Sequence, residues 1–253
     1  MNILEKILNV KRQEIQQIKD FEFGEMAGQN RSLKDALSKP GISVIAEIKM
    51  KSPSEGEIFP YADPAHIAKG YELAGAAAIS VLTDQSFFGG SLDILKSVRD
   101  AVSIPVIRKD FIIDQKQISE TIHYNGDAFL LIADALGQDS LQHLMNIGKK
   151  TGLEFLVEYH AEKHAEYIFA LNPEIIGINC RNLKTMATDI TYFEKMISSL
   201  PSNSVKVAES GIHTSDDLEY VSDLGYDAAL IGTSLMKTGN PEKALETLLG
   251  KIS

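Results

Sequence analysis

The stretch VKVAESGIHTSDDLEYVSDLGYDAALIG, residues 205–232, holds the smallest unit from which the fold can be read. It opens with a β-branched run, VKVAES (205–210). It passes through a segment of helical period, TSDDLEYVSDLG (214–225), and closes on a second apolar run, AALIG (228–232). Gly225 stands where helix C-termini commonly place glycine. A strand, a helix and a second strand joined by short connections form a βαβ unit, whose two strands lie parallel.

The same alternation extends through the chain. Further β-branched or apolar runs occur at VIAEIK (44–49), AAISVL (77–82), PVIRK (105–109), AFLLI (128–132), EFLVEY (154–159) and IIGIN (175–179). Segments with helical period separate them, at 62–75, 92–102, 117–126, 139–152, 161–171 and 190–200, and a last one follows at 241–250. Strands alternating with helices imply a parallel sheet. Eight such units predict an α/β fold, a closed (β/α)8 TIM barrel. An open doubly wound sheet would carry a Gly-rich dinucleotide turn after its first strand, and KSPSEG (51–56) is not one. The expected organisation is one domain over 1–253. In it, 44–253 form the eight units and 1–40 form a helical extension that covers the barrel. Within that extension Ile3, Leu4, Ile7, Leu8, Val10 and Ile15 fall largely on one helical stripe, and SLKDALSKPG (32–41) reads as a second short helix.

Composition agrees with a large core and narrows the function. The chain has 253 residues, 44% hydrophobic, with a formal charge of −10. That charge disfavours nucleic acid or an anionic membrane as the main partner. It leaves room for a small anionic substrate bound in a local cationic site. The single cysteine, Cys180, permits no internal disulfide, and no signal-peptide pattern or membrane-length apolar run is found. The expected location is the cytoplasm, as a monomer or weak dimer. His160 and His164 are four apart, but Ala161 replaces the Glu that the helical zinc-protease pattern needs. No metal is expected there.

Active sites of this fold sit at the C-terminal ends of the strands. Residues two apart in a strand share a face, so Ile45, Glu47 and Lys49 point the same way. Buried charges are costly unless paired. Yet Glu47, Lys49, Lys109, Glu158, Arg181 and Glu209 all fall at that end of five different strands. One ion pair there could be structural; six charges indicate an active site. Ser210-Gly211 after the seventh strand and Gly232-Thr233-Ser234 after the eighth occupy the loops that cradle phosphate in this fold. Phe88, Phe111 and Leu131 fall at strand ends or just after, where they would serve as apolar walls for a ligand or, equally well, as core packing. SVLTDQSFFGGS (80–91), Gly-rich and aromatic, reads as a loop over the site.

The motifs ILEKILNVKRQEI, VIAEIKMKSPSEG, SVLTDQSFFGGSLDIL, IPVIRKDFIID, IGINCRNL, VAESGI and LIGTSLM run in order from end to end. Together they resemble the indole-3-glycerol-phosphate synthase family. Met50 and Glu55 stand where that family usually carries basic residues, which softens the positive charge near the first strand. The resemblance implies closure of 1-(2-carboxyphenylamino)-1-deoxyribulose 5-phosphate to an indole ring, with loss of CO2 and water and without metal or cofactor. It implies Lys109 as general acid, Glu158 as base, and Glu47 with Lys49 as the pair assisting proton transfer and holding the charged substrate. It places Asn179 and Arg181 at the reacting centre, Ser52 on the substrate and Glu209 in the pocket wall. Ser210, Gly211, Gly232 and Thr233 match the phosphate site. Lys49 or Arg181 is left to hold the departing carboxylate. A Lys acid of this kind is expected to have its pKa lowered by its surroundings, with the base on the opposite side of the substrate. Two alternatives use the same barrel: an isomerase of a phosphorylated sugar amine, and a non-catalytic sugar-phosphate binder. In the related phosphoribosylanthranilate isomerase a Cys at the end of the first strand does the acid–base work. Here that strand has none, and Cys180 reads as an inert small residue.

Overall fold

In the computed structural model, which describes residues 2–19, 21, 30–59, 62–182 and 186–252, the β-branched runs become strands that close on themselves. They are β1 (Ser43–Ile48), β2 (Ala78–Leu82), β3 (Val106–Lys109), β4 (Ala128–Ile132), β5 (Glu154–Tyr159), β6 (Ile175–Asn179), β7 (Val205–Glu209) and β8 (Ala228–Ile231). Each pairs in parallel with the next, and β8 returns to β1 with Ala46 opposite Ile231. This is the expected (β/α)8 barrel.

Pleating sorts the side chains into two layers. Ile45, Ala78, Ile107, Leu130, Leu156, Val207 and Leu230 fill the interior. Their neighbours along the strands, among them Val44, Ile79, Phe129, Leu131 and Val157, face outward into the core under the helices. Capping starts several helices where the sequence calls for it. Asp63 caps Pro64–Ala74, Ser91 caps Leu92–Ala101, and Thr214 forms a capping box with Asp217 at the start of Ser215–Asp223. None of the helices among the described residues is long and apolar enough to cross a membrane.

The extension grips both ends of the barrel. Helix α1 (Ile3–Ile15) begins at a capping box between Asn2 and Glu5. Of the expected stripe only Ile7 and Leu8 are buried, and Lys11 is buried beside them. Helix α2 (Leu33–Leu37) is stopped before Pro40-Gly41 as expected, and it plugs the opposite end. Leu33 and Leu37 join the interior cluster next to Ala78, Ala128, Ile175 and Val205, each the first residue of its strand. Arg31 Nη1 donates to Ile104 O at 2.9 Å, and Ser32 Oγ to Glu154 at 2.8 Å. Residues 20 and 22–29 of the extension, and Leu183 of the INCRNL motif, lie outside the described residues.

Candidate active site

Six charged side chains named from strand ends line one cleft at the C-terminal mouth: Glu47, Lys49, Lys109, Glu158, Arg181 and Glu209. Strand register brings them together, because Leu82 lies opposite Lys109, Ile132 opposite Glu158, and Asn179 opposite Glu209. Lys109 is the centre. Its Nζ lies 2.7 Å from Glu158 Oε2 and 2.8 Å from Glu209 Oε2. Asn179 Nδ2 donates to the other oxygen of Glu158 at 2.9 Å, and Asn179 Oδ1 accepts from Arg181 N at 3.0 Å. On the facing strand Lys49 Nζ pairs with Glu47 Oε1 at 2.7 Å. Glu47 and Lys49 therefore share the inward face as the alternation required.

The electrostatics overturn one expectation. Burial alone would lower the Lys109 pKa, but Glu158, Glu209 and Glu47 outweigh it, and the ammonium is held above its ordinary range. Lys109 is thus held as an ammonium, not as a depressed amine. The two carboxyl groups on it are pushed apart. Glu158 is also opposed by burial, but Lys109 and Asn179 hold it below the ordinary range. Glu209, buried and beside the negative Glu158, is pushed up to about 8. The pair titrates as a unit, and Glu209 holds its proton to higher pH than an ordinary carboxyl does.

That proton has a consequence for stability. In the unfolded chain Glu209 ionises near 4.5; in the fold it does so near 8. Between those values only the folded state keeps the proton, so this contribution is complete below the lower value and is lost as pH rises through the upper one. The melting temperature of the wild type, relative to Glu209→Gln, is expected to fall as pH is raised from about 5 to about 8. A difference that does not change with pH would contradict the shared proton.

Glycine makes room for these carboxylates. A Cβ on Gly177 would stand 2.1 Å from Glu209 Oε1, and one on Gly232 2.6 Å from Glu47 Oε1. Gly232 was singled out for phosphate, but it also gives Glu47 its space. Ser210 and Gly211 both have positive φ, 70° and 72°, and a Cβ on Gly211 would meet Cys180 Sγ at 2.8 Å. Cys180 is buried and its thiol is pushed up to about 11 by that burial. This suits a packing role beneath the loop and not a nucleophile.

Ser52, Phe88, Phe111, Ser210, Gly211, Gly232, Thr233 and Ser234 all line the cleft. Leu131 does not. It points outward into the core under the helices, while Leu130 and Ile132 face the cleft. The run AFLLI has apolar residues on both faces, so polarity could not tell one face from the other; counting back by twos from Ile132, the last residue of the strand, would have. The sequence reading also passed over Ser54, Leu82 and Asp110, which line the cleft too. Asp110 had a signal, since it directly follows Lys109. The acid and base expected on opposite sides are in direct contact instead. The loop after β2 is not featureless: Asp84 caps a one-turn helix, α3 (Gln85–Phe88), by accepting from Phe87 N at 2.6 Å. Lys51 and Ser52 pair with Gly56 and Glu57 as a small hairpin beside the mouth, and Glu55 within it is ion-paired to Lys237. His160 and His164 share no helix face. His160 follows β5 with Nδ1 2.8 Å from Asn179 O, and His164 ends the 3-10 turn Glu162–His164.

Comparison with known proteins agrees with this arrangement. The family profile of indole-3-glycerol phosphate synthase matches residues 4–248. The indole-3-glycerol phosphate synthase of Halalkalibacterium halodurans is 44% identical over 98% of this chain and 97% of its own length. That of a Geobacillus species is 45% identical over 99% and 98%. That of Mycolicibacterium gilvum is 46% identical over 85% and 79%. A solved thiamine phosphate pyrophosphorylase from Pyrococcus furiosus superimposes with a TM-score of 0.63 at 14% identity, over 87% of this chain and 96% of that one, a likeness of fold alone. Profile, relatives and strand-end residues converge: the chain belongs to the indole-3-glycerol phosphate synthase family.

Proposed function

We propose that the cleft closes 1-(2-carboxyphenylamino)-1-deoxyribulose 5-phosphate to indole-3-glycerol phosphate. The observation that carries the residue roles is the clamp of Lys109 between Glu158 and Glu209 at 2.7 and 2.8 Å, at the end of the barrel that also holds the phosphate loops. As a member of its family the chain is a carboxy-lyase of tryptophan biosynthesis. The enzyme works in the cytoplasm, as a monomer or weak dimer, and no step derived below calls for a metal or cofactor.

The chemistry asks for three proton movements. The carboxylate-bearing aryl carbon attacks the ketone, and the ketone oxygen gains a proton as charge builds on it. Lys109, fully charged, supplies that proton. The new carbon–carbon bond stands, the carboxylate leaves as CO2, and its electrons restore the ring. The new hydroxyl then takes a second proton, from Lys109 once solvent has reprotonated it, and leaves as water, while Glu158 accepts a proton from the methylene of the new ring. Two protons are given and one is taken back, matching the single negative charge lost with the carboxylate. Substrate entry must part Lys109 from Glu158, which would lower the lysine's hold on its proton as the reaction needs. Asn179 keeps Glu158 oriented, and Glu47 keeps Lys49 directed at the substrate. Lys49 or Arg181 holds the departing carboxylate.

The phosphate end tests the orientation of the whole arrangement. Inorganic phosphate or sulfate is expected beside Gly211 and the turn 232–234, and to compete with substrate. A crystal soaked in sulfate checks this. An anion found only at the α2 end of the barrel would reverse the assignment of the faces.

A further inference from the structure

Lys11 interrupts the apolar stripe of α1, and its side chain is only 4% exposed. Its ammonium lies 2.9 Å from Asp84 Oδ2, 2.9 Å from Asp110 Oδ1 and 2.8 Å from Glu14 Oε2. Asp84 and Asp110 are buried as well. Asp110 opposes burial with Arg108 and Lys11, which hold its carboxyl at about 2. Several buried charges are an expensive way to dock a helix, since well-packed apolar residues usually do so as well or better. A leucine at position 11 would simply have continued the stripe.

The other contacts of the two aspartates show what the cluster controls. Asp84 Oδ1 accepts from the backbone N–H groups of Phe87 at 2.6 Å and Phe88 at 3.2 Å. Asp110 Oδ1 accepts from Phe111 N at 2.8 Å, and its Oδ2 accepts from Thr83 Oγ1 at 2.6 Å and Arg108 Nη2 at 3.1 Å. The rings of Phe88 and Phe111, both lining the cleft, pack against each other, with centroids 6.3 Å apart and planes tilted by 33°. One ammonium therefore ties together the two loops that carry the two rings. A compact charge with three donors suits carboxylates arriving from three different elements.

We propose that Lys11 is a positioning residue: by clamping Asp84 and Asp110 from outside the cleft, it sets the aromatic wall of Phe88 and Phe111 against which the aryl ring of the substrate packs. The identity of that ring rests on the proposed function; the clamp does not. Lys11 does not line the cleft, so its effect on binding passes through the two phenylalanines.

The test uses the full-length protein. Lys11→Met keeps length and stripe but removes the charge. Asp84→Asn keeps an acceptor for the Phe87 and Phe88 amides while removing the attraction to Lys11, and it carries the test should Lys11→Met fail to fold. Each is made alone and in a Phe88→Ala background, with Lys96→Gln, which breaks an exposed ion pair to Asp100, as a control. Turnover is measured per folded molecule, and binding of free anthranilate, the aryl half of the substrate, is followed by its own fluorescence. Lys11→Met is expected to raise KM and weaken anthranilate binding roughly three- to tenfold, about the worth of a well-placed aromatic contact. kcat should change less than KM, Asp84→Asn should act in the same direction, and Lys96→Gln should change neither binding measure. In the Phe88→Ala background the Lys11 effect should shrink to the part carried by Phe111. A lowered melting temperature with unchanged KM and anthranilate affinity would reduce Lys11 to a tether and overturn the proposal. So would an equal loss of affinity in the Phe88→Ala background. A wild type that makes no indole but shows the expected anthranilate pattern would sink the proposed function and leave the role of Lys11 standing.

Discussion

Lys109→Ala is expected to lower kcat by roughly 10²–10⁴-fold, the usual worth of one acid–base group. The change should fall on kcat more than on KM, because the proposed phosphate loops and aromatic wall do not depend on Lys109. The fold should survive, at a cost. Lys109 lies between two carboxylates that are themselves buried. Removing one member of such a group leaves charge uncompensated and costs about 3–5 kcal/mol. The deficit in melting temperature should therefore be larger above neutrality than at low pH, where Glu158 and Glu209 can both hold protons. Lys109→Arg should recover much of the melting temperature and little of the turnover, because guanidinium keeps its charge but hardly releases a proton. Near-normal turnover per folded Lys109→Ala molecule would confine Lys109 to charge balance.

The second large effect comes from a residue with no side chain. Gly177 sits mid-strand in β6, and a methyl there would stand 2.1 Å from Glu209 Oε1 and 3.3 Å from Leu156 Cδ1. Glu209 Oε1 is buried directly over Gly177, so a side chain there has no free space to enter. Gly177→Ala must push the carboxyl aside or shift the strand, and either moves one jaw of the clamp on Lys109. Overpacking of this kind costs about 1–3 kcal/mol. A displacement on the order of 1 Å at the reacting groups can cost about 10²-fold in rate. Gly177→Ala should thus lose turnover out of proportion to its loss of melting temperature. Pairing it with Glu209→Ala, which vacates the space, should restore the melting temperature but not the rate. If Gly177→Ala turns over normally, the placement of Glu209 is not critical.

Much of this was legible in the chain because the fold repeats one pattern. Each β-branched run named from the sequence became a barrel strand with ends within about one residue, since parallel strands buried on both faces read as plain apolar runs. The same property hid Leu131: where both faces are apolar, sequence does not say which one points inward. The charged strand ends were legible because a charge in such a run needs a reason, and all six reached the cleft. Lys11 was hidden for the opposite reason. A lysine on a surface helix is ordinary, and its partners Asp84 and Asp110 lie more than seventy residues away along the chain. The Lys109 pKa was misjudged because its direction depends on how many carboxylates converge, which only the barrel's register decides.

The central claim is that the Lys109 clamp performs a ring closure with decarboxylation. It is tested most directly by giving the purified protein 1-(2-carboxyphenylamino)-1-deoxyribulose 5-phosphate and following indole fluorescence and released CO2 together. Indole and CO2 appearing one to one, and both falling together in Lys109→Ala, is the predicted result. Substrate left unchanged, or CO2 released without an indole ring, would contradict it.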